Sequence, residues 1–152
     1  MIRISHRGNI SGPNPKLENK PSYIESALND KYAVEIDVWF DKHFYLGHDK
    51  PRYKITYNWL INKWHLLWIH CKNRESFEKM TISYKKTDMY LLNYFWHQTD
   101  DYTLTSKGYI WTYTGIVAPK YGIRVLPKET EKIPICAGIC SDNIERWENK
   151  LI

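Results

Sequence analysis

The stretch that most constrains the fold is VEIDVW, residues 34–39, because its two faces are chemically opposite. Successive side chains of a β-strand point to opposite faces. One face is therefore entirely aliphatic, and the other carries two carboxylates; the aliphatic residues are Val34, Ile36 and Val38, and the acids are Glu35 and Asp37. If the aliphatic face packs on helices, the acids point into a cleft or a barrel interior.

A bare carboxylate in such a place is costly unless a cation or an ion-pair partner compensates its charge. Two acids side by side attract a hard divalent cation such as Mg²⁺ or Ca²⁺. The alternative is an edge or amphipathic strand, on which Glu35 and Asp37 lie in water and pair with lysines. VEIDVW therefore predicts either a metal site or a solvated strand face.

Short strand-like runs alternate with helical or polar segments along the 152 residues, which predicts one α/β domain over residues 1–152. Strands are predicted at 1–5, 33–40, 65–72, 89–97, 108–113, 122–126 and 133–140, helices at 16–30 and 74–86, and a short extension or hairpin arm at 43–49. Crossover-length segments between the strands favour parallel pairing. A closed (β/α) barrel needs about 200 residues, so we expect a reduced or distorted TIM-type barrel.

Composition narrows the partners and the compartment. Lys and Arg outnumber Asp and Glu by 22 to 17, which mildly favours anionic partners, but the basic residues form no run typical of dedicated nucleic-acid binding. The chain has no apolar run of about 18 residues and no signal-peptide core, which predicts no transmembrane segment and a cytoplasmic location. Cys71, Cys136 and Cys140 lack zinc spacing, so reduced, buried thiols are expected.

Three polar pairs fall where consecutive strand elements end, the position at which α/β barrels place their chemistry. The pairs are His6 with Arg7, Glu35 with Asp37, and His48 with Asp49. Such a set suits phosphodiester cleavage, since one histidine can take a proton from the nucleophile while the other protonates the leaving oxygen. A metal and Arg7 would offset charge on the phosphoryl oxygens. Taken alone, His48 is more typical of a hydrogen-bonded surface histidine.

Four segments, in order and approximate spacing, resemble the opening of the glycerophosphodiester phosphodiesterases, in the phospholipase-C-like phosphodiesterase superfamily. The segments are HRG at 6–8, LENKPSYIESAL at 17–28, VEIDVW at 34–39 and YLGHD at 45–49. In that family a His-Arg-Gly ends the first strand, Glu-Asn opens the first helix, Glu-x-Asp ends the second strand, and His-Asp follows. The resemblance covers residues 1–50 and implies a TIM-barrel-derived fold. It also implies a metal-dependent phosphoric diester hydrolase for a small-molecule phosphodiester, such as a glycerophosphodiester.

The resemblance implies a role for each matched residue. His6 and His48 are expected to form the acid–base pair, and Arg7 to bind phosphate. Glu35, Asp37 and Glu18 are expected to be metal ligands, and Asn19 a rim residue. The implied metal is Mg²⁺ or Ca²⁺. Without the resemblance, Glu18 is typical of a helix start, where it favours the positive end of the dipole.

The chain departs from the family pattern at the third strand. The family carries Glu-x-Lys there, whereas WIHCKN, residues 68–73, supplies His70 as a metal ligand and Lys72 as a phosphate ligand. Imidazole suits Zn²⁺ or Mn²⁺ better than Ca²⁺, so Mn²⁺ and Zn²⁺ join the expected cofactors. Taken alone, His70 is more typical of a core histidine. Its presence also leaves open a non-catalytic protein of the same fold that binds phosphate or a headgroup.

Two later segments continue the resemblance. YIWTY, residues 109–113, and GICSDN, residues 138–143, are similar to late strands of the family and place Trp111 and Asp142 at the rim of the site. The alternatives are plain core packing for Trp111 and, for Asp142, the N-cap of a helix that follows.

Overall fold

The computed structural model describes residues 1–83 and 88–148, which contain ten strands and three α-helices. The strands are β1 Ile2–His6, β2 Ala33–Asp41, β3 His43–Leu46, β4 Tyr53–Ile55, β5 Leu67–Cys71, β6 Asn93–Phe95, β7 Tyr102–Leu104, β8 Ile110–Thr112, β9 Gly122–Val125 and β10 Gly138–Ser141. The helices are α1 Pro21–Asn29, α2 Tyr57–Ile61 and α3 Arg74–Ser83, and short 3₁₀ helices span Asp88–Leu91 and Glu145–Trp147. Among these described residues, no helix is long and apolar enough to cross a bilayer.

Parallel strands form the centre of one sheet, as the crossover spacing predicts. Their order is β6-β5-β2-β1-β10-β9-β8, with every neighbouring pair parallel. β7 pairs antiparallel with β8, while β3 and β4 form antiparallel arms on the far half of β2. The prediction of a hairpin arm at 43–49 is confirmed by β3.

The aliphatic face of VEIDVW packs against helices. Val34, Ile36 and Val38 belong to one buried cluster with Ile24 of α1 and Met80 of α3. Because neighbouring strand residues face opposite ways, the acids of the same strand lie on the other side of the sheet. Packing on the helices buries the aliphatic face of the strand.

Glu35 and Asp37 are 2% and 0% exposed on that other side. The alternative of a solvated edge strand is therefore wrong. The acids lie beside an apolar cluster that fills the same face of the sheet. Its buried members are Ile4, Ala33, Trp68, Phe95, Trp111, Ile123, Val125 and Cys140.

This second face curls strongly. Phe95 of β6 stacks on Trp111 of β8 with ring centroids 4.5 Å apart, although these strands lie at opposite ends of the parallel series. Within the described ranges, no strand pairing joins β6 to β8, so the sheet is not closed. The structure confirms the α/β class but does not show a TIM barrel.

The helix predicted within 16–30, with Pro21 near its start, forms as α1 and begins at Pro21; the residue before a proline is driven out of the helical region, and Lys20 is extended. Two predicted strands are shorter than expected. The predicted strand at 89–97 forms only over β6, because Asp88–Leu91 adopt a 3₁₀ helix. The predicted strand at 133–140 forms only from Gly138.

Two further predictions have clear outcomes. The three cysteines are buried and free, as expected. The predicted helix at 74–86 forms over Arg74–Ser83, and residues 84–86 lie outside the described residues.

The half of the sheet around β9 is covered by loops that an ion pair holds in place. Arg124 is 4% exposed and donates from Nε and Nη2 to the two carboxylate oxygens of Glu131, at 2.6 and 2.7 Å. Arg124 also donates to the carbonyl of Ile116 at 2.9 Å. The hydrogen bond from Arg124 lowers the pKa of Glu131 below its ordinary value.

Glu131→Gln should therefore lower the free energy of unfolding by about 2 kcal/mol, because it leaves a buried guanidinium without its charge partner. Denaturant unfolding measures the change. The control is Glu78→Gln, which removes an exposed pair with Arg74 and should cost less than about 0.5 kcal/mol. Because the pKa of Glu131 is lowered in the folded protein, the ion pair contributes its full stability at pH values above the ordinary pKa of 4.5. That contribution is lost as the pH falls through the folded pKa. The difference in the free energy of unfolding between the wild type and Glu131→Gln should shrink over that pH range. Equal losses of stability in Glu131→Gln and Glu78→Gln would contradict the role of the buried ion pair.

Candidate metal and phosphate site

The strand register brings the predicted site residues together. His6 at the end of β1 pairs with Glu35 in β2, and Asp37 in β2 pairs with His70 in β5. Since the strands are parallel and adjacent, these side chains emerge on one face near the carboxyl ends. Glu35, Asp37 and His70 each offer a ligand atom, and these three atoms lie within 4.8 Å of one another.

The acids of this cluster lack complete compensation from the protein. His70 Nδ1 lies 3.2 Å from Asp37 Oδ1 and 3.8 Å from Glu35 Oε1. Glu35 Oε2 and Asp37 Oδ1 are buried and have no hydrogen-bond partner among residues 1–83 and 88–148. Buried carboxylate oxygens without partners are costly unless a cation binds them. The donor set of two carboxylates and one imidazole therefore fits a divalent metal ion.

The two carboxyl groups titrate in opposite directions. Burial raises the pKa of Glu35, and the charge of Asp37 raises it further. Burial also acts to raise the pKa of Asp37, but the neighbouring His70 imidazole and the charge of Arg7 outweigh it and hold that pKa below its usual range. Asp37 is thus the anion of the pair, and a second negative charge on Glu35 is costly until a cation compensates it.

Asn19 holds Asp37 at two points. Its Nδ2 donates to Asp37 Oδ2 at 2.8 Å, and its Oδ1 accepts from the backbone N–H of Asp37 at 2.9 Å. Asn19 has a left-handed backbone with φ of 61°, which asparagine tolerates better than most residues. It is 1% exposed and positions the Asp37 carboxylate, whereas its rim role stays a prediction.

His6 and Asp142 form a buried pair. His6 Nδ1 lies 2.7 Å from Asp142 Oδ1, and Nε2 lies 3.8 Å from Glu35 Oε2. Since a carboxylate accepts, Nδ1 carries the donated proton, which leaves Nε2 on the side of the acids. Burial acts to lower the pKa of His6, but the Asp142 hydrogen bond and the Glu35 charge outweigh it and raise that pKa.

Asp142 therefore lies in the site and is not a helix N-cap. The 3₁₀ helix that follows has Ile144 at its N-cap position. Asn9 donates to Asp142 Oδ1 at 2.8 Å and fixes the carboxylate that orients His6. Sequence reasoning missed Asn9, although its position directly after the strand-ending His-Arg-Gly was a usable signal.

Glu18 is a partner of Arg7 and not a member of the metal cluster. Arg7 Nη1 donates to Glu18 Oε2 at 3.3 Å, and Asn9 donates to Glu18 Oε1 at 3.0 Å. Among the described residues, the metal-ligating group contains only Glu35, Asp37 and His70. Glu18 also precedes the first turn of α1, so the helix-start alternative does not describe it. Its carboxylate orients the arginine.

Arg7 and His48 face the same small cavity. The cavity has a volume of about 190 Å³ and is lined by Arg7, Glu18, Asn19, His48 and other residues of the Gly47–Arg52 turn. The Arg7 guanidinium is fixed from one side by Asp37 Oδ2, 2.9 Å from Nε. His48 has a 43% exposed side chain, and its Nδ1 lies 2.6 Å from Asp49 Oδ1. Both predicted acid–base histidines therefore carry a carboxylate on Nδ1.

The remaining predicted residues lie below or beside the cluster. Lys72 places Nζ 3.5 Å from Asp37 Oδ1, where it pairs with the acid. Trp111 is 4% exposed and stacks on Phe95 in the apolar cluster. Core packing describes Trp111, and it does not lie at the rim.

The clamp on Asp37 is testable without changing a charge. Asn19→Gly should lower the free energy of unfolding by about 2 kcal/mol, because the buried N–H and one carboxylate oxygen of Asp37 lose their partners. Glycine adopts a positive φ freely, so the loss reports the side chain and not backbone strain. Lys31→Gly is the matched control, since Lys31 is exposed and has φ of 68°; it should leave stability unchanged or slightly raised. Equal stability of Asn19→Gly and wild type in denaturant unfolding would refute the clamp.

No protein-family model, no curated protein and no solved structure matches the chain.

Proposed function

We propose that the chain is a metal-dependent phosphoric diester hydrolase that acts on a small-molecule phosphodiester, with a glycerophosphodiester as the substrate class. The observation that carries the proposal is the Glu35 carboxylate, which is 2% exposed and has an unpartnered Oε2. That oxygen lies beside Asp37 and 3.8 Å from His6 Nε2. A cation site next to an oriented histidine and a fixed arginine is the combination that phosphoryl chemistry needs.

Glu35, Asp37 and His70 would hold the divalent ion, which supplies Lewis-acid stabilisation of charge on the phosphoryl oxygens. Arg7 binds the same oxygens, because its guanidinium lines the cavity and is held in place by Glu18 and Asp37.

His6 and His48 exchange the protons. An attacking water molecule forms a new P–O bond and gives a proton to one histidine, while the bond to the leaving alcohol breaks and the other histidine protonates that oxygen. Asp142 and Asp49 keep each imidazole in the tautomer that leaves Nε2 available. The products are a phosphomonoester and an alcohol.

The curled, open sheet would then be a reduced TIM-type barrel. The contact between Phe95 and Trp111 supports this proposal, since it joins the two ends of the parallel series through the interior. The site residues His6, Asp37 and Asp142 also fall at or near the carboxyl ends of their strands, where barrel enzymes carry their chemistry.

A second function is favoured by the surroundings of Asp37. Arg7, His70 and Lys72 all lie within ion-pair distance of this one carboxylate. Protein cations thus supply much of the charge compensation that a metal would bring. Phosphate or headgroup binding without turnover is the function that this arrangement supports.

Hydrolysis of a diester panel distinguishes the two functions. We expect the purified protein to hydrolyse glycerophosphodiesters or bis(p-nitrophenyl) phosphate with added divalent ions, and EDTA to stop it. Glu35→Ala should abolish activity, and His6→Ala should lower kcat about 100-fold or more. His43→Ala on the exposed edge of β3 is the control and should retain full activity.

Unchanged activity in a folded His6→Ala protein would contradict the mechanism. Absence of hydrolysis across the panel, with inorganic phosphate still bound in calorimetry, would select the binding function.

The two histidine–aspartate pairs give a second test. Asp142→Asn and Asp49→Asn keep the size of the side chain but remove the charge that orients His6 or His48. Each should lower kcat by at least about tenfold with a smaller effect on KM, because the aspartates act on proton transfer through the histidines. Steady-state kinetics on the same diester measures the split; an effect on KM alone would show that the pairs serve binding and not proton transfer.

A further inference from the structure

His70 presents a lone pair to the two acids. Its Nε2 lies 2.7 Å from the backbone carbonyl oxygen of His97. A carbonyl oxygen only accepts, so Nε2 carries the proton in this hydrogen bond. In the neutral imidazole, Nδ1 is therefore unprotonated and faces Asp37 Oδ1 at 3.2 Å and Glu35 Oε1 at 3.8 Å.

The ring is held in this orientation from two sides. It lies parallel to the ring of Phe95, with centroids 5.4 Å apart and planes 6° apart. The residue that supplies the carbonyl is itself tied to β7, because His97 Nδ1 lies 2.9 Å from Thr103 Oγ1. The Nδ1 atom thus points at the acids because neighbouring contacts fix the ring.

A lone pair facing two carboxylate oxygens is repulsive unless a cation lies between them. Glu35 Oε2 and Asp37 Oδ1 are also buried without hydrogen-bond partners. The three donors form a mixed nitrogen and oxygen set. Mg²⁺ and Ca²⁺ prefer oxygen ligands alone, whereas first-row transition metals such as Mn²⁺ and Zn²⁺ also bind mixed nitrogen and oxygen sets, with affinity rising from Mn²⁺ to Zn²⁺. A backbone carbonyl on the other ring nitrogen strengthens imidazole as a metal ligand.

We propose that the Glu35–Asp37–His70 site selects Zn²⁺ and Mn²⁺ over Mg²⁺ and Ca²⁺. This inference rests on the proposed function for the existence of a metal site, and it adds the identity of the ion. The order of affinity should follow the general series for mixed ligands, with Zn²⁺ tighter than Mn²⁺. The single nitrogen ligand is the source of the selectivity.

Calorimetric titration of the chelator-treated full chain with each chloride salt tests the selectivity without measuring activity. Zn²⁺ and Mn²⁺ should each bind at least about tenfold more tightly than Mg²⁺ or Ca²⁺. His70→Glu gives three carboxylates and should reduce the Mn²⁺-to-Mg²⁺ affinity ratio by about tenfold or more. His43→Ala removes an exposed histidine outside the site and should keep the wild-type order.

Glu35→Ala keeps the test decisive if His70→Glu fails to fold. A folded Glu35→Ala protein should lose tight Zn²⁺ binding, which places the ion at this cluster and not at a surface histidine.

Mg²⁺ or Ca²⁺ binding as tightly as Mn²⁺ in the wild type would overturn the selectivity and leave the proposed function in place. If the wild type and Glu35→Ala bound every ion equally, both the selectivity and the proposed metal-dependent function would be overturned. The cation between His70 and the acids would then be a proton.

Discussion

Two buried carboxylates on one strand are the constraint on which the rest of the site depends. Glu35 and Asp37 do not face water, because the aliphatic face of β2 packs on α1 and α3 and the face that carries the acids curls around the apolar cluster of Trp68, Phe95 and Trp111. Their charge must be compensated inside the protein or by a bound cation. The surrounding polar residues supply part of that compensation, and the unpartnered Oε2 of Glu35 marks where it is incomplete.

The parallel sheet places these residues next to one another. Register between β1, β2 and β5 places His6 and His70 on either side of the acids. Turns after the strands then add Arg7 and, on the cavity side, His48. His6, the two acids and His70 therefore lie together because neighbouring parallel strands carry them in register, whereas Arg7 and His48 reach their shared cavity from turns.

Much of the site could be predicted from the sequence, because alternation in VEIDVW puts both acids on one face of the strand, opposite the aliphatic residues. The inward acids and the nearby positions of His6, Arg7 and His70 follow from strand order. Residue roles fixed by hydrogen bonds could not be predicted. Asn19 resembles a rim residue in sequence, but its amide holds Asp37. The carbonyl of His97 leaves no sequence signal at all, since every residue has one.

The fold was predictable to the level of parallel α/β, and less so beyond it. A 3₁₀ helix at Asp88–Leu91 replaces the first part of the strand predicted at 89–97, because a short apolar run does not by itself distinguish a strand from a helical turn. Closure of a sheet likewise depends on pairing between its first and last strands. Here the side chains of Phe95 and Trp111 are in contact, but in the described part of the chain β6 and β8 do not pair with each other.

The most direct test of the central claim is an anomalous diffraction map from a crystal of the full chain grown or soaked with Mn²⁺. The account predicts one strong anomalous peak within coordination distance of Glu35, Asp37 and His70 Nδ1. A crystal soaked with saturating Mn²⁺ that shows no peak there, and in which Arg7, Lys72 and His70 are the only partners of the two carboxylates, would contradict the account.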